Sequence, residues 1–306
     1  MGSRIRGNGY TIASVLRYWL LALVFGGVVA VGGLSSAFAD SSVRVESFLA
    51  KSLGMKRAYH VYLPDGYTQE EDRRYDVVYA LHGLGGTGGD FFKYAELKTV
   101  LDGLIAAQKV RPIIVVAPNG GNGYWTNHRR VKGKLAELWG DYVVKDLVEE
   151  IDTKYRTRPQ REGRALVGVS MGGFGAFSLT LMHPTIFHAG ISLGGALFLE
   201  PPSHRRVYWK AWGNPPDMRH WKQRSPIDLM RGLSAKSPTL PRLYIQCGTK
   251  DSLGFYAYAK EARKILSRRK IPHTFSPAYG KKHNWKAWAP ESERWLTFLE
   301  KGWRAQ

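Results

Sequence analysis

The sequence predicts an α/β fold in which a mostly parallel sheet lies between two helical layers, and three observations lead there. Short runs of consecutive apolar residues at 76–81, 112–116, 165–169, 242–247 and 272–276 read as strands buried on both faces, the pattern of parallel sheets. Helical patterns separate them, as parallel neighbours require. Glycine-rich corners at 83–89 and 168–173 then turn strand into helix. At 306 residues the chain can bury one large core, and neither an internal repeat nor a Ser/Gly or Pro linker divides it.

Residues 1–39 stand apart. Arg4, Arg6 and Arg17 precede an apolar stretch from Trp19 to Leu34, and Ala37-Phe38-Ala39 supplies a small-x-small cleavage site before Asp40. This is the layout of a secretory signal peptide, with an uncleaved anchor as the alternative. The expected mature domain is 40–306, secreted or periplasmic, with no membrane span after cleavage.

The strand at 76–81 runs into His82-Gly83-Leu84-Gly85-Gly86-Thr87-Gly88-Gly89, followed by a helix from about Phe91. Gly83, Gly85 and Gly88 satisfy G-x-G-x-x-G, which alone suggests a dinucleotide enzyme. That reading also needs an acid after the next strand. Strand 112–116 ends instead in Ala117-Pro118-Asn119-Gly120-Gly121, without one. A His-Gly-x-Gly-Gly loop can instead offer a backbone amide to an oxyanion, and Leu84 is the candidate.

Gly168-Val169-Ser170-Met171-Gly172-Gly173 follows the strand at 165–169 and opens a helix over 174–183. So sharp a turn brings backbone close to backbone, and glycine stands both two before and two after the serine. The corner lifts the hydroxyl above the sheet and points the Met171 amide at a developing oxyanion.

Residues 197–233 break the strand and helix rhythm with Pro201, Pro202, Pro215 and Pro216, and with Tyr208, Trp209, Trp212 and Trp221. The expectation is a cap over the carboxyl edge that shapes a substrate cleft, with Trp212 among its contacts. The bland alternative is a hydrophobic cluster beneath a long loop. Strand 242–247 ends in Gly248-Thr249-Lys250-Asp251, an acid at the edge where open sheets build sites, although it also suits a helix N-cap. The last strand, 272–276, leads to Tyr279-Gly280-Lys281-Lys282-His283-Asn284-Trp285, with Trp288 and a final helix from about Glu291 beyond. Of nine histidines, His283 alone sits on a loop past the final strand, where it can reach the serine.

Cys247 is the sole cysteine, so no internal disulfide can form, and its place in a strand suits a buried hydrophobe. No H-E-x-x-H or equivalent spacing occurs, and no metal site is expected. Removing residues 1–39 takes away three arginines and no acids, so the formal charge falls from +20 to +17. Such a field attracts anionic surfaces. Its clusters, Arg129-Arg130-Val131-Lys132, Arg205-Arg206, Arg268-Arg269-Lys270 and Lys281-Lys282, are scattered, and no nucleic-acid motif accompanies them. Lys281 and Lys282 adjoin His283, where Lys282 and Trp285 are candidate substrate contacts.

With these residues in place, the chain resembles the esterase D family of α/β-hydrolases over roughly residues 44–304. That family includes feruloyl and acetylxylan esterases, S-formylglutathione hydrolases, enterochelin-type esterases and mycolyltransferases. The resemblance rests on His82-Gly83-Leu84-Gly85-Gly86, Ser170-Met171-Gly172-Gly173 with Ala176, His183-Pro184 and Phe187, Trp212-Gly213, Gly248 to Asp251, and His283 with Trp285 and Trp288. It implies a three-layer sandwich and no cofactor. It also implies Ser170 as nucleophile, Asp251 as acid, His283 as base, and the amides of Leu84 and Met171 as oxyanion hole. The chain departs from the family in placing two lysines between Gly280 and His283. The expected activity is hydrolysis of a small-molecule or polysaccharide-linked carboxylic ester. Acyl transfer of the mycolyltransferase type and carbohydrate or surface binding without catalysis are the alternatives.

Overall fold

The computed structural model describes residues 41–129 and 137–305. The expected signal at 1–39, and Arg130 and Lys132 of one basic cluster, lie outside them. Eight strands form one sheet: β1 (Ser42–Ala50), β2 (Met55–Leu63), β3 (Asp76–Leu81), β4 (Ile113–Pro118), β5 (Arg164–Val169), β6 (Ala189–Leu193), β7 (Arg242–Gly248) and β8 (His273–Ala278). Their spatial order is β1-β2-β4-β3-β5-β6-β7-β8. Six strands, β3 to β8, pair in parallel, and β1 and β2 pair antiparallel at one edge. The sequence reading places no strand before residue 76, so this hairpin is an addition to it.

The two-faced burial expected of parallel strands appears along β3. Val77, Tyr79 and Leu81 enter one core with Phe174 and Phe177, while Val78 and Ala80 enter a second with Leu101 and Trp295. All five strand residues are fully buried, and each large aliphatic removed from water contributes on the order of 2 kcal/mol before conformational entropy is charged. Helices α1 (Asp90–Tyr94), α2 (Leu97–Ala106), α10 (Trp285–Trp288) and α11 (Ser292–Arg304) serve the second core. On the other face lie α3 (Trp139–Asp141), a π-helical stretch (Tyr142–Leu147), α4 (Val148–Lys154), α5 (Met171–Met182) and α9 (Phe255–Arg268).

Between β6 and β7, the segment expected as a cap forms α6 (Arg206–Trp212), α7 (Met218–Lys222) and α8 (Pro226–Gly232). The Asp217 carboxylate caps α7 by accepting from the amides of Arg219 and His220, and Ser225 caps α8, which opens on Pro226. Helix α8 packs on α5 and α9, so the end of this insertion belongs to the helical layer.

Just before β6, His188 Nδ1 accepts from the Arg161 guanidinium at 3.2 Å. Burial, reinforced by the charges of Arg161 and Arg242, pushes its pKa down to about 4 from 6.5. The fold thus holds neutral a base that the unfolded chain protonates, so the stability it contributes is full above about pH 6.5 and is lost as pH falls through about 4. His60, His82, His183 and His220 are shifted in the same direction, burial being the largest cause each time. Urea unfolding should therefore show level stability above pH 7 and a decline across this acid window, shallower in His188→Gln. An unchanged slope in that variant would contradict the assignment.

Candidate active site

Ser170 follows β5 and stands at the N-terminal boundary of α5 with φ 54° and ψ −115°, a backbone conformation that a residue with a side chain adopts only under constraint. The constraint is local close packing. A Cβ at Gly168 would lie 2.0 Å from the Gly172 carbonyl oxygen, and one at Gly172 would lie 1.9 Å from that of Leu81. The Ser170 amide donates to Leu193 O at 2.9 Å, and its carbonyl accepts from Ala196 N at 3.0 Å, so β6 and the segment after it pin the corner.

The side chains from three strand ends converge. His283 Nε2 lies 2.8 Å from Ser170 Oγ, and His283 Nδ1 lies 2.7 Å from Asp251 Oδ2. The N-cap of α9 is Gly254 where the sequence suggested Asp251, yet Asp251 still serves the turn before that helix: Oδ1 accepts from the amides of Leu253 at 3.0 Å and Phe255 at 3.3 Å. Burial alone would raise its pKa, but the hydrogen bond and charge of His283, with those two amides, hold it below the ordinary carboxylate value. An ionised Asp251 can only accept, so it selects the tautomer with the proton on Nδ1 and leaves Nε2 free to accept from the serine.

Two neighbours fix the imidazole that the sequence reading did not single out for this role. The rings of Phe255 and Trp288 meet that of His283 edge-on, at centroid distances of 5.1 and 4.9 Å and angles of 84° and 86°. Cys247 is buried and its thiol donates to Asp251 Oδ2 at 3.7 Å. Burial and the nearby carboxylate push that thiol's pKa up, which removes it as a nucleophile.

The glycine loop after β3 comes beside the serine, since a Cβ at Gly83 would stand 3.4 Å from Ser170 Cβ. Among the described residues no acceptor takes the amide of Leu84 or Met171. A clamp from a distant loop holds this arrangement. His82 is fully buried; its Nδ1 donates to Gly83 O at 2.7 Å and its Nε2 accepts from Gly120 N at 2.9 Å. Burial lowers its pKa, keeping it in the neutral form that this pairing needs. Asn119 Oδ1 and Asn122 Oδ1 accept from Gly88 N and Gly85 N, at 2.7 and 2.9 Å. Asn119, standing where a dinucleotide site would put an acid, is therefore committed to the loop itself.

Of the candidate substrate contacts, Trp285 is half-buried against Phe91 at 5.4 Å and Tyr94 at 5.8 Å, and the Lys282 side chain is exposed. Trp212 requires a correction. It is wholly buried among Tyr124, Phe174, Tyr208 and Trp221, so it offers a ligand no surface and instead belongs to the aromatic core. The aromatic residues of α6 and α7 fill a core where a cleft lining was expected, Trp209 remaining partly exposed. Among the described residues no group of three or more His, Cys, Asp or Glu side chains is placed to hold a metal ion.

Comparison with known proteins follows the same lines. A family model described as "Putative esterase" matches residues 50–293. Esterase Rv1288 of Mycobacterium tuberculosis is 30% identical over 164 residues, covering 53% of this chain and 34% of that protein. The endo-1,4-beta-xylanase/feruloyl esterase of Xylanibacter ruminicola is 31% identical over 166 residues, covering 52% of this chain and 22% of that protein. The chain thus spans about a third or less of the length of these two relatives. Among solved structures, a ferulic acid esterase superposes with a TM-score of 0.74 at 24% identity, covering 86% of this chain and 98% of the other. The serine hydrolase FphF of Staphylococcus aureus superposes with a TM-score of 0.72 at 19% identity, covering 85% and 98%. From strand order, from the serine corner and from these matches, the chain belongs to the esterase family and has the α/β-hydrolase fold.

Proposed function

We propose that the chain is an exported serine carboxylesterase, and the observation that carries this reading is the placement of His283 within hydrogen-bond reach of both Ser170 and Asp251. In the proposed reaction Ser170 Oγ attacks the ester carbonyl while His283 Nε2 takes its proton. The amides of Leu84 and Met171 receive the negative charge that develops on the carbonyl oxygen. The tetrahedral adduct collapses, His283 returns the proton to the leaving alkoxide, and an acyl-serine remains. Water then repeats the sequence, with His283 as its base, and releases the acid. These groups complete the proton balance without a cofactor.

The feruloyl esterase relatives support an ester carried on a polysaccharide. In this reading Trp285, whose ring lies 5.8 Å from that of Tyr94, would receive an apolar or aromatic acyl group, and the exposed Lys282 a negative one. An activity profile on nitrophenyl acyl esters, with and without a sugar acceptor, tests the reading. Release of free acid is the expected result; dependence on the acceptor would favour acyl transfer, and silence across the panel a binding protein.

Lys281 and Lys282 are exposed beside His283 and no acidic partner holds either among the described residues. Anionic esters should therefore gain in kcat/KM over matched neutral ones at low salt, and lose the advantage as the Debye length shrinks from about 30 Å at 0.01 M to about 10 Å at 0.1 M. Changing both lysines to glutamine should remove part of the difference while altering the neutral ester by less than about twofold. Equal salt responses for the two esters would show that the charge has no part in choosing substrates. Among the described residues no helix is long and apolar enough to cross a membrane. The export reading expects a mature N-terminus at Asp40, which amino-terminal sequencing of the exported fraction checks; an intact 1–39 segment in membranes would favour the anchor.

A further inference from the structure

Two donors meet the carbonyl of Gly83: His82 Nδ1 at 2.7 Å and the amide of Gly86 at 3.1 Å. That carbonyl belongs to the same peptide unit as the amide of Leu84. The unit is trans, and a trans peptide is planar with its C=O and N–H pointing in opposite directions. Whatever fixes the Gly83 oxygen therefore fixes the line along which the Leu84 N–H is offered. This N–H is one of the two that receive the oxyanion in the reaction above.

The two donors do different work. The Gly86 bond closes a turn within the glycine loop and moves with it. The His82 bond refers the carbonyl to the rest of the fold. Its Nε2 accepts from Gly120 N at 2.9 Å, just past β4, its own carbonyl accepts from Trp125 Nε1 at 3.1 Å, and the Trp125 ring meets the imidazole edge-on at 5.0 Å. An amide can only donate and a carbonyl can only accept, so these backbone partners leave the ring one neutral tautomer, with its proton on Nδ1. The hydrogen bonds then run in one direction: Gly120 N–H to Nε2, Nδ1–H to Gly83 O, and Leu84 N–H to the oxyanion. In such a chain each bond polarises the next.

We propose that His82 is a positioning residue for ester hydrolysis, holding and polarising the Leu84 amide through the Gly83 carbonyl. The inference rests on the esterase reading and gives His82 no contact with substrate. Two substitutions divide the functions of the ring. In His82→Asn the side-chain nitrogen takes the place of Nδ1 and can donate to Gly83 O, while Gly120 N loses its acceptor. In His82→Gln the side-chain oxygen takes the place of Nε2 and can accept from Gly120 N, while Gly83 O loses the bond from the ring. Each variant gives up one buried hydrogen bond, so a merely structural role predicts losses of turnover that follow the losses of stability in urea. The positioning role predicts a split. On a nitrophenyl ester, kcat should fall at least about thirtyfold in His82→Gln with KM within about threefold, and less than about fivefold in His82→Asn.

A trifluoromethyl ketone reads the oxyanion directly: Ser170 Oγ adds to its carbonyl carbon, the serine proton passes to His283, and the carbonyl oxygen becomes the alkoxide. Its affinity should fall in step with kcat/KM across the wild type and both variants. Equal falls of kcat in the two variants, or ketone affinity that does not follow kcat/KM, would overturn the proposal and leave the esterase reading standing; wild-type turnover that survives Ser170→Ala would remove both. Nuclear magnetic resonance of the labelled wild type covers a variant that does not fold. The Nδ1 proton of His82, assigned through its bonds to the backbone, should move downfield when the ketone adduct forms, because the alkoxide draws on the shared peptide unit. An unmoved resonance would overturn the proposal.

Discussion

Replacement of Ser170 by alanine is expected to lower ester turnover by about 10⁶ while cooperative unfolding is retained, because the members of such a triad act as one unit. Two other nucleophilic groups near the corner are withdrawn from it: Cys247 is buried with its thiolate disfavoured, and the hydroxyl of Ser192 is buried near Gly173 and Gly195. Steady-state rates on a nitrophenyl ester, with circular dichroism on the same sample, check the result. Activity within a hundredfold of wild type would remove Ser170 from the chemistry.

Asp251→Asn should lower turnover by up to about 10⁴, since an amide can donate to His283 and favour the tautomer that presents a proton to Ser170. The geometry separates this from a structural effect. Asparagine keeps an oxygen for the amides of Leu253 and Phe255, so the start of α9 should hold and KM should change little. A variant near wild type in kcat would mean that another carboxylate orients His283.

The site was legible in the sequence to the extent that its geometry is local. Gly168 and Gly172 are readable around Ser170 because the clash they avoid arises within five residues and against the adjoining strand. The order of serine, acid and histidine is readable because each lies just past a strand whose apolar run is evident. What could not be read depends on segments far apart in the chain. His82 looked like a loop residue, and only the fold brings Gly120 to its ring. Phe255 and Trp288 flank His283 from α9 and α10, a pairing that no spacing reveals. Trp212 was misplaced for a related reason: an aromatic residue in a proline-rich insertion reads equally as cleft or core, and four other rings decide for core. The β1–β2 hairpin went unread although β1 in part alternates in burial, as an edge strand does.

The central claim is that Ser170 carries the acyl group, and covalent labelling of the intact protein tests it most directly. After reaction with a fluorophosphonate, peptide mass spectrometry should find one adduct, on Ser170, with loss of esterase activity in proportion to labelling. An adduct on another residue with activity lost in step, or full activity in protein fully labelled at Ser170, would contradict it.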